Sequence, residues 1–272
     1  MSAYTGAAAI LKKNFDRGDQ MRSGFYISEA VLSKPVEPRS YLSRLPAVEH
    51  IARHSLTFTH PVTFFVGENG TGKSTLLEAI AAAYGFNPEG GSKNFRFSTA
   101  RTHSGLWEHL TLIKNRFPKD GFFLRAESFY NVATNIDELD QIPAFSGPII
   151  AGYGGVSLHK QSHGESFLAL LQNRFRGQGL YLLDEPEAAL SPMRLLTLLA
   201  EFDRLVKQDS QLIVATHSPI LMAFPGAQIY EFTPQGIAPA SYRDTQHYQL
   251  TRRFLENPDK MLRALLEDGQ AE

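Results

Sequence analysis

The chain has 272 residues, of which 43% are hydrophobic, so it can form one large α/β domain or two small ones. Its 27 Lys and Arg residues nearly balance its 28 Asp and Glu residues, which gives no overall sign of a nucleic-acid or anionic-membrane partner, although a local basic patch stays possible. Cysteine is absent, which excludes disulfides and thiolate metal sites. Neither a secretory signal nor an apolar run of membrane-spanning length is present, so we expect a cytoplasmic protein.

The first part of the chain predicts an arm and a small sheet. Residues 1–24 are mixed and polar, and we expect an N-terminal arm there. Short β-branched and aromatic runs predict strand pieces at 25–27, 31–32 and 56–58. Prolines between these runs predict a long connection. Together they indicate a small, partly antiparallel sheet ahead of the first motif.

That first motif is a glycine-rich loop at 67–74, which fits the phosphate-binding pattern G-x-x-x-x-G-K-[ST]. An apolar run at 61–66 predicts a buried strand before the loop, and 75–84 predicts a helix after it. In this context backbone N–H groups and the helix N-terminus face a polyphosphate. Lys73 is predicted to reach the phosphates and the Ser74 hydroxyl to bind Mg²⁺. The predicted nucleotide-binding residues are Gly67, Glu68, Asn69, Gly70, Thr71, Gly72, Lys73, Ser74 and Thr75.

A helical lid is expected over about 90–165. Within it, apolar spacing predicts a helix over Leu106–Ile113 and a buried strand at 122–124, with an irregular stretch over 128–160. Positive residues cluster here and indicate either a solvated face or a nucleic-acid contact. The cluster consists of Arg96, Arg101, Lys114, Arg116, Lys119 and Arg125.

The next motif is a turn before a helix predicted from Ser166 to Phe175. Ser162, Gly164 and Glu165 in this turn fit an anion site, because a hydroxyl and a glycine stand at a helix N-terminus. The same residues fit a capping box, with Glu165 three positions after Ser162. The two interpretations can hold together.

Two further motifs follow at strand ends. The strand 180–183 ends in Asp184 and Glu185, and in a chain with a phosphate loop such a strand delivers carboxylates to the phosphates. Asp184 is predicted to hold Mg²⁺ and Glu185 to activate the attacking water as general base. The strand 212–215 leads to His217, which is predicted to contact the γ-phosphate or the attacking water.

The remaining pattern predicts an α/β fold. An amphipathic helix is expected at 192–207, a strand at 228–232 and helix from about 245. Strands and helices alternate, which favours a largely parallel sheet. We expect one domain over 25–255 and a helical tail over 256–272.

The four motifs, in this order, resemble those of the ABC-type ATPase superfamily. Five short segments are similar in sequence to those of a bacterial group of stand-alone AAA-family ATPases related to the RecF and SMC proteins. They are residues 66–70, 124–128, 162–166, 184–192 and 215–219. The resemblance covers roughly 25–255. It implies a P-loop NTPase fold of ABC type, in which a mixed, mostly parallel sheet is flanked by helices, with a small antiparallel β subdomain and a helical lid. It also implies ATP and Mg²⁺ as cofactors and ATP hydrolysis as the activity.

In such ATPases the signature turn of one subunit completes the phosphate loop of another, so the resemblance implies an ATP-sandwiched homodimer. Three departures from the family pattern bear on this. The signature has His163 and Glu165 where glycine and glutamine are usual, and an acid near triphosphate is unfavourable unless it points away or meets a cation. Ser191 replaces an aspartate. Glu127 stands at the glutamine-loop position, where its carboxylate can ligate Mg²⁺.

The biological role is left open between three classes. The first is an ATPase acting on or near nucleic acid in repair or defence. The second is a regulatory module whose ATP-bound form recruits an unknown effector protein. The third is the nucleotide-binding subunit of a transporter. Tyr41 is the one candidate for stacking on adenine.

Overall fold

The computed structural model describes residues 25–92, 104–127, 129–140, 150, 153, 155–160 and 162–267. The expected N-terminal arm, residues 268–272 of the expected helical tail, Arg96 and Arg101 lie outside these residues. The strands are β1 (Ile27–Leu32), β2 (Leu56–Thr57), β3 (Val62–Gly67), β4 (Leu110–Lys114), β5 (Asp120–Arg125), β6 (Gly179–Asp184), β7 (Gln211–Ala215), β8 (Gln228–Thr233) and β9 (Gly236–Pro239). The α-helices are α1 (Pro46–Ile51), α2 (Lys73–Tyr84), α3 (Phe129–Asp140), α4 (His163–Arg174), α5 (Pro192–Lys207), α6 (Pro219–Met222), α7 (Gln246–Glu256) and α8 (Pro258–Glu267).

The strands form two sheets. The larger has the order β5-β6-β7-β3-β8-β9, in which the first five strands are parallel and β9 runs antiparallel to β8. The smaller sheet has the order β2-β1-β4 and is antiparallel. The predicted fold class, a mostly parallel α/β sheet with a small antiparallel sheet and flanking helices, is confirmed.

The large sheet is buried on both faces. All residues of β3, β6 and β7 are buried, as expected for parallel strands covered on each side. Successive side chains of β3 alternate between two cores: Phe64 packs with residues of α3, α4 and α5, whereas Phe65 packs with residues of α2 and the small sheet. This burial holds the strand ends in fixed positions.

The stretch expected to be a helical lid contains strands of both sheets. The helix predicted over Leu106–Ile113 is wrong: a 3₁₀ turn at Gly105–His109 leads into β4, which pairs with β1. Short apolar runs do not distinguish helix from strand, and here pairing with β1 decides. β5 is the edge strand of the large sheet. Conversely, the stretch expected to be irregular contains α3.

Candidate functional site

Parallel strands end at one edge of the large sheet, and the sequence motifs follow these ends. The glycine-rich loop follows β3, Glu185 follows β6 and His217 lies just beyond β7, while Glu127 lies just beyond β5. Because β7 lies between β6 and β3, the acidic and phosphate-loop segments flank the histidine segment. Sheets of this type bind ligands at the carboxyl ends of their strands.

Steric contacts explain two glycines of the loop. Gly67 has φ +131°, and a Cβ there would lie 2.1 Å from the carbonyl oxygen of Phe232. Gly72 has φ +97°, and its Cβ would lie 2.9 Å from the Cβ of Ala47 on α1. A larger residue at either position would push the loop away from β8 or α1. The glycines therefore set the shape of the loop.

The other loop residues differ in their exposure to solvent. Glu68, Asn69 and Gly70 are exposed, and the Thr71 hydroxyl donates to the Glu68 carbonyl at 2.8 Å. Ser74 and Thr75 are half-buried in the first turn of α2.

Lys73 is buried, with 4% of its surface exposed. Its ammonium donates to the carbonyl oxygens of Gly67 at 2.7 Å and Glu68 at 2.9 Å. Burial lowers the pKa of Lys73, and the nearby carboxylates of Glu185 and Asp184 oppose that shift. The loop thus holds a positive charge within the field of the acids that follow β6.

A cleft of about 230 Å³ opens beside Lys73's neighbour Ser74. This volume is below the roughly 300–1,000 Å³ of sites that enclose a whole small ligand, so the cleft would enclose only part of such a ligand. The lining residues are Ser74, Arg125, Ala126, Glu127, Asp184, Glu185, Ala188 and Ala189.

Asp184 is the buried acid of this cleft, with 6% of its surface exposed. Its Oδ2 lies 3.4 Å from Nε of Arg125, while its buried Oδ1 has no hydrogen-bond partner among the described residues. Burial raises the pKa of Asp184 to about 6, although Arg125 and a hydrogen bond from Ser74 lower it. A buried oxygen without a partner beside a hydroxyl fits a cation ligand.

Glu185 and His217 are in contact at the cleft. Glu185 has the uncommon φ of +49° for a residue with a side chain, and its N–H donates to the Ala215 carbonyl at 2.9 Å. Nε2 of His217 lies 3.4 Å from Oε1 of Glu185. Burial and then the charge of Lys73 lower the pKa of His217, whereas Glu185 raises it. The ring is therefore neutral at neutral pH.

A third acid of the same segment, Glu187, was not singled out in the sequence. Its carboxylate accepts the backbone N–H of His217 and so fixes the main chain that carries the imidazole. Burial raises the pKa of Glu187, and this hydrogen bond lowers it. The sequence feature that could have identified Glu187 as a site residue is its position three residues after Asp184.

Arg125 was expected in a positive patch, but its guanidinium forms ion pairs with acidic side chains of the same chain. Nη1 lies 2.8 Å from Oε2 of the buried Glu78, and Nη2 lies 3.6 Å from Oε2 of Glu127. Arg116 pairs with Asp209 and lies over the ring of Tyr26. These contacts favour structural roles for both arginines over nucleic-acid binding.

The turn before α4 has the capping-box arrangement. The backbone N–H and the hydroxyl of Ser162 donate to Oε2 of Glu165 at 3.1 and 2.6 Å, which confirms the capping interpretation. Oε1 of Glu165 lies 3.2 Å from Nη2 of Arg194, so the acid meets a cation within its own chain. A Cβ on Gly164 would lie 2.3 Å from Nη1 of Arg194, the end of a flexible side chain, and 3.0 Å from the carbonyl oxygen of Ala189. Among the described residues that line the cleft, none comes from this turn.

Two predicted ligand contacts stay predictions. The Glu127 side chain is 84% exposed at the mouth of the cleft, where a metal-ligand role has no further support. Tyr41 is 62% exposed in a 3₁₀ turn ahead of α1.

Asp184→Asn is expected to change the pH dependence of stability. Because the pKa of Asp184 in the folded protein, about 6, lies above its ordinary value of 3.8, the wild-type protein binds an extra proton on folding between these values. Its free energy of unfolding therefore falls as pH rises toward 6, by at most about 1.4 kcal/mol per pH unit. Asparagine has no such proton, so its stability lacks this dependence on pH. As pH rises from 5 to 7.5, the free energy of unfolding of Asp184→Asn should therefore increase relative to that of wild type. Urea unfolding in EDTA at both pH values measures this gain.

The exposed Asp259 on α8 provides the matched control, since Asp259→Asn changes the same functional group away from the cleft. Equal pH dependence for wild type and Asp184→Asn would contradict the burial argument.

Comparisons with known proteins agree with the motifs. A family model described as an AAA domain matches residues 47–126, and one described as "AAA domain, putative AbiEii toxin, Type IV TA system" matches residues 152–223. No protein of curated function matches the chain. None of the described helices is both long and apolar enough to cross a membrane.

Three solved structures match the chain at low identity. A putative metal-chelate type ABC transporter in an inward-facing conformation is 14% identical, with 84% of this chain and 88% of that chain covered and a TM-score of 0.49. The SMC head domain from Thermotoga maritima is 15% identical, with 80% and 100% covered and a TM-score of 0.43. The protein cbiO1 from Clostridium perfringens, part of the ABC transporter complex cbiONQ, is 13% identical, with 89% and 99% covered and a TM-score of 0.48.

The two family-model matches together span more than half of the chain. The first contains the glycine-rich loop with Lys73, and the second contains Asp184, Glu185 and His217. The residues that meet at the cleft thus lie in two segments of the chain that each match an AAA-domain family model.

Proposed function

We propose that the protein binds ATP with Mg²⁺ and hydrolyses the ATP to ADP and phosphate. The observation that carries this proposal is the cleft at the strand ends, where Ser74, Asp184 and Glu185 meet beside the loop that holds Lys73. Phosphoryl transfer needs positioning and charge stabilisation more than covalent chemistry by the protein, and these residue types supply both.

The donor set fits Mg²⁺. The Ser74 hydroxyl and the buried Oδ1 of Asp184 are oxygen ligands, which this hard cation prefers. The described residues contain no group of three His, Asp or Glu side chains placed to hold a metal ion. Mg²⁺ sites at phosphates need only one or two carboxylates, because phosphate oxygens and waters complete them. When bound, Mg²⁺ neutralises phosphate charge.

Glu185 and His217 have separate roles toward the attacking water and the γ-phosphate. The Glu185 carboxylate orients the attacking water and takes its proton. Its backbone conformation and the N–H bond to Ala215 hold it at the cleft. His217, neutral and in contact with Glu185, donates a hydrogen bond toward the water or the γ-phosphate.

The active form is an ATP-dependent homodimer, in which the turn at Ser162 faces the phosphate loop of a second copy. Two observations support this. Ser162 is exposed, and its turn is not among the described residues that line the cleft of its own chain. Arg194 compensates Glu165, so the unusual acid of the turn does not oppose a triphosphate as a free charge. Light scattering that shows monomers without nucleotide and dimers with ATP is the expected sign of this assembly.

A second candidate role is recruitment of an effector protein by the ATP-bound form. The exposed leucines of α7 and α8 favour it, since Leu255, Leu265 and Leu266 each expose about 70% of their surface. The description of the second family model, a putative toxin of a type IV toxin–antitoxin system, favours a role in defence over repair.

Lys73→Met tests the proposed activity. It keeps the buried aliphatic stem and removes the ammonium, so ATP binding is expected to weaken about 10–100-fold through loss of charge-assisted hydrogen bonds. Titration with a fluorescent ATP analogue measures binding, and phosphate release measures hydrolysis.

The matched control is Lys207→Met, which removes an exposed ammonium on α5 that pairs with Asp203 at 2.6 Å. The proposal fails if wild-type protein releases no phosphate in the presence of Mg²⁺, or if Lys73→Met binds the analogue as tightly as the control.

A further inference from the structure

A second histidine extends the contact between Glu185 and His217. His247 lies in the first turn of α7, and its Nε2 is 3.0 Å from Nδ1 of His217. The two rings are tilted by 57°, with their centroids 5.0 Å apart. The other nitrogen of His217, Nε2, faces Glu185 at 3.4 Å. Nδ1 of His217 therefore has a hydrogen-bond partner in His247, whereas its buried Nε2 faces the Glu185 carboxylate without a hydrogen bond among the described residues.

The chemistry of these partners sets the positions of the protons. A neutral imidazole has one N–H donor and one bare nitrogen that accepts. A carboxylate oxygen accepts hydrogen bonds and repels the lone pair of a bare ring nitrogen, so the hydrogen of His217 belongs on Nε2, the nitrogen that faces Glu185. Its Nδ1 is then an acceptor, and Nε2 of His247 must donate to it. His247 is left with a bare Nδ1, a buried atom that has no hydrogen-bond partner among the described residues.

The protein also holds His247 itself in place. The backbone N–H of the preceding residue, Gln246, donates at 2.8 Å to Oε1 of Glu231 on β8. Thr245, the residue that caps α7, is fully buried, and its hydroxyl donates to the Tyr242 carbonyl at 2.8 Å. The first turn of α7 is thus fixed to the sheet that carries the cleft, and His247 is a half-buried residue with a defined position.

We propose that His247 is a positioning residue that holds His217 in its Nε2–H form, with that hydrogen directed at Glu185 and the phosphate cleft. Without the donor at His247, the hydrogen of His217 is free to move to Nδ1, which leaves a bare nitrogen facing the carboxylate. His247 acts through His217 and touches no reacting atom. The catalytic part of this inference rests on the proposed ATP hydrolysis, whereas the tautomer of His217 does not.

Two variants of His247 distinguish the effect of its hydrogen-bond donor from the effect of its aromatic ring. His247→Phe keeps an aromatic ring and removes the donor, while His247→Gln replaces the imidazole by an amide whose N–H can donate to Nδ1. Nitrogen-15 spectra of histidine side chains distinguish the two neutral forms, and the His217 signals are assigned by their loss in His217→Gln. We expect the Nε2–H form in wild type and His247→Gln, and a shift toward the Nδ1–H form in His247→Phe.

We expect the rate of ATP hydrolysis to fall in the variant that loses the Nε2–H form of His217. In His247→Phe, kcat for ATP should fall by about 10-fold or more, comparable with the loss of activity when the partner that orients a metal-bound imidazole is removed. KM should change less than about twofold, because His247 touches no part of the substrate. His247→Gln should restore most of kcat. Gln249→Phe, which introduces the same ring at an exposed position of α7, serves as the control and should match wild type.

The outcomes separate the two proposals. If His217 carries its hydrogen on Nδ1 in wild type, or keeps the Nε2–H form in His247→Phe, the positioning role of His247 is overturned. If the tautomer shifts as expected but wild-type protein hydrolyses no ATP, the positioning contact stands and the proposed hydrolysis fails. An active enzyme in which the tautomer shifts without any fall in kcat overturns the catalytic part of the inference.

Discussion

Glu185→Gln is expected to lower kcat for ATP hydrolysis by about 10²–10⁴-fold, the usual contribution of a general base, with ATP binding retained. Glutamine has nearly the same shape, so it keeps the backbone conformation with φ +49° and the N–H bond to Ala215. Its amide cannot take a proton from water. Phosphate release under saturating ATP measures kcat, and titration with a fluorescent ATP analogue measures binding.

The same variant tests assembly. Because ATP persists on it, Glu185→Gln should accumulate as an ATP-bound dimer, and light scattering reports the mass. Glu256→Gln is the matched control, since it makes the same change at an exposed residue of α7. Turnover within tenfold of wild type would contradict the role of Glu185 as general base. A monomer at saturating ATP would contradict the dimer.

Local motifs account for the parts of the site that the sequence predicts. A strand, a glycine loop and a helix form one continuous segment, so the spacing from Gly67 to Ser74 specifies that geometry without help from the rest of the chain. The same holds for the strands that end at Asp184 and before His217, because their apolar runs are buried on both faces. These segments meet because parallel strands end at one edge.

Contacts between distant residues account for what the sequence could not predict. Arg194 follows Glu165 by 29 positions and compensates its charge, and His247 follows His217 by 30 positions and contacts its ring. No spacing rule links such pairs, since they depend on how helices pack. The helix α3 is a different case: its buried apolar residues recur at helical spacing and were visible in the sequence. They are Phe129, Val132, Ala133 and Ile136.

Arg125→Met is expected to lower the free energy of unfolding by about 3–5 kcal/mol, the usual cost of leaving a buried charge without its partner. Glu78 on α2 is only 6% exposed, and its Oε2 depends on Nη1 of Arg125 at 2.8 Å. The remaining bonds to Glu78 come from the N–H and hydroxyl of Ser104, which carry no charge. Arg125 also faces the buried Asp184 at 3.4 Å. Urea unfolding at pH 7.5 measures the loss.

A second variant identifies the cause of that loss. If the uncompensated carboxylate is responsible, Arg125→Met combined with Glu78→Gln should recover much of the stability, because the amide keeps the bonds from Ser104 and carries no charge. Arg252→Met removes an arginine that pairs with Glu256 on the solvent side of α7, and it should unfold like wild type. A loss in Arg125→Met no larger than in Arg252→Met would show that Arg125 does not compensate Glu78. In that case the arginine beside Asp184 is free to serve the phosphate cleft directly, and its loss should appear in ATP binding rather than in stability.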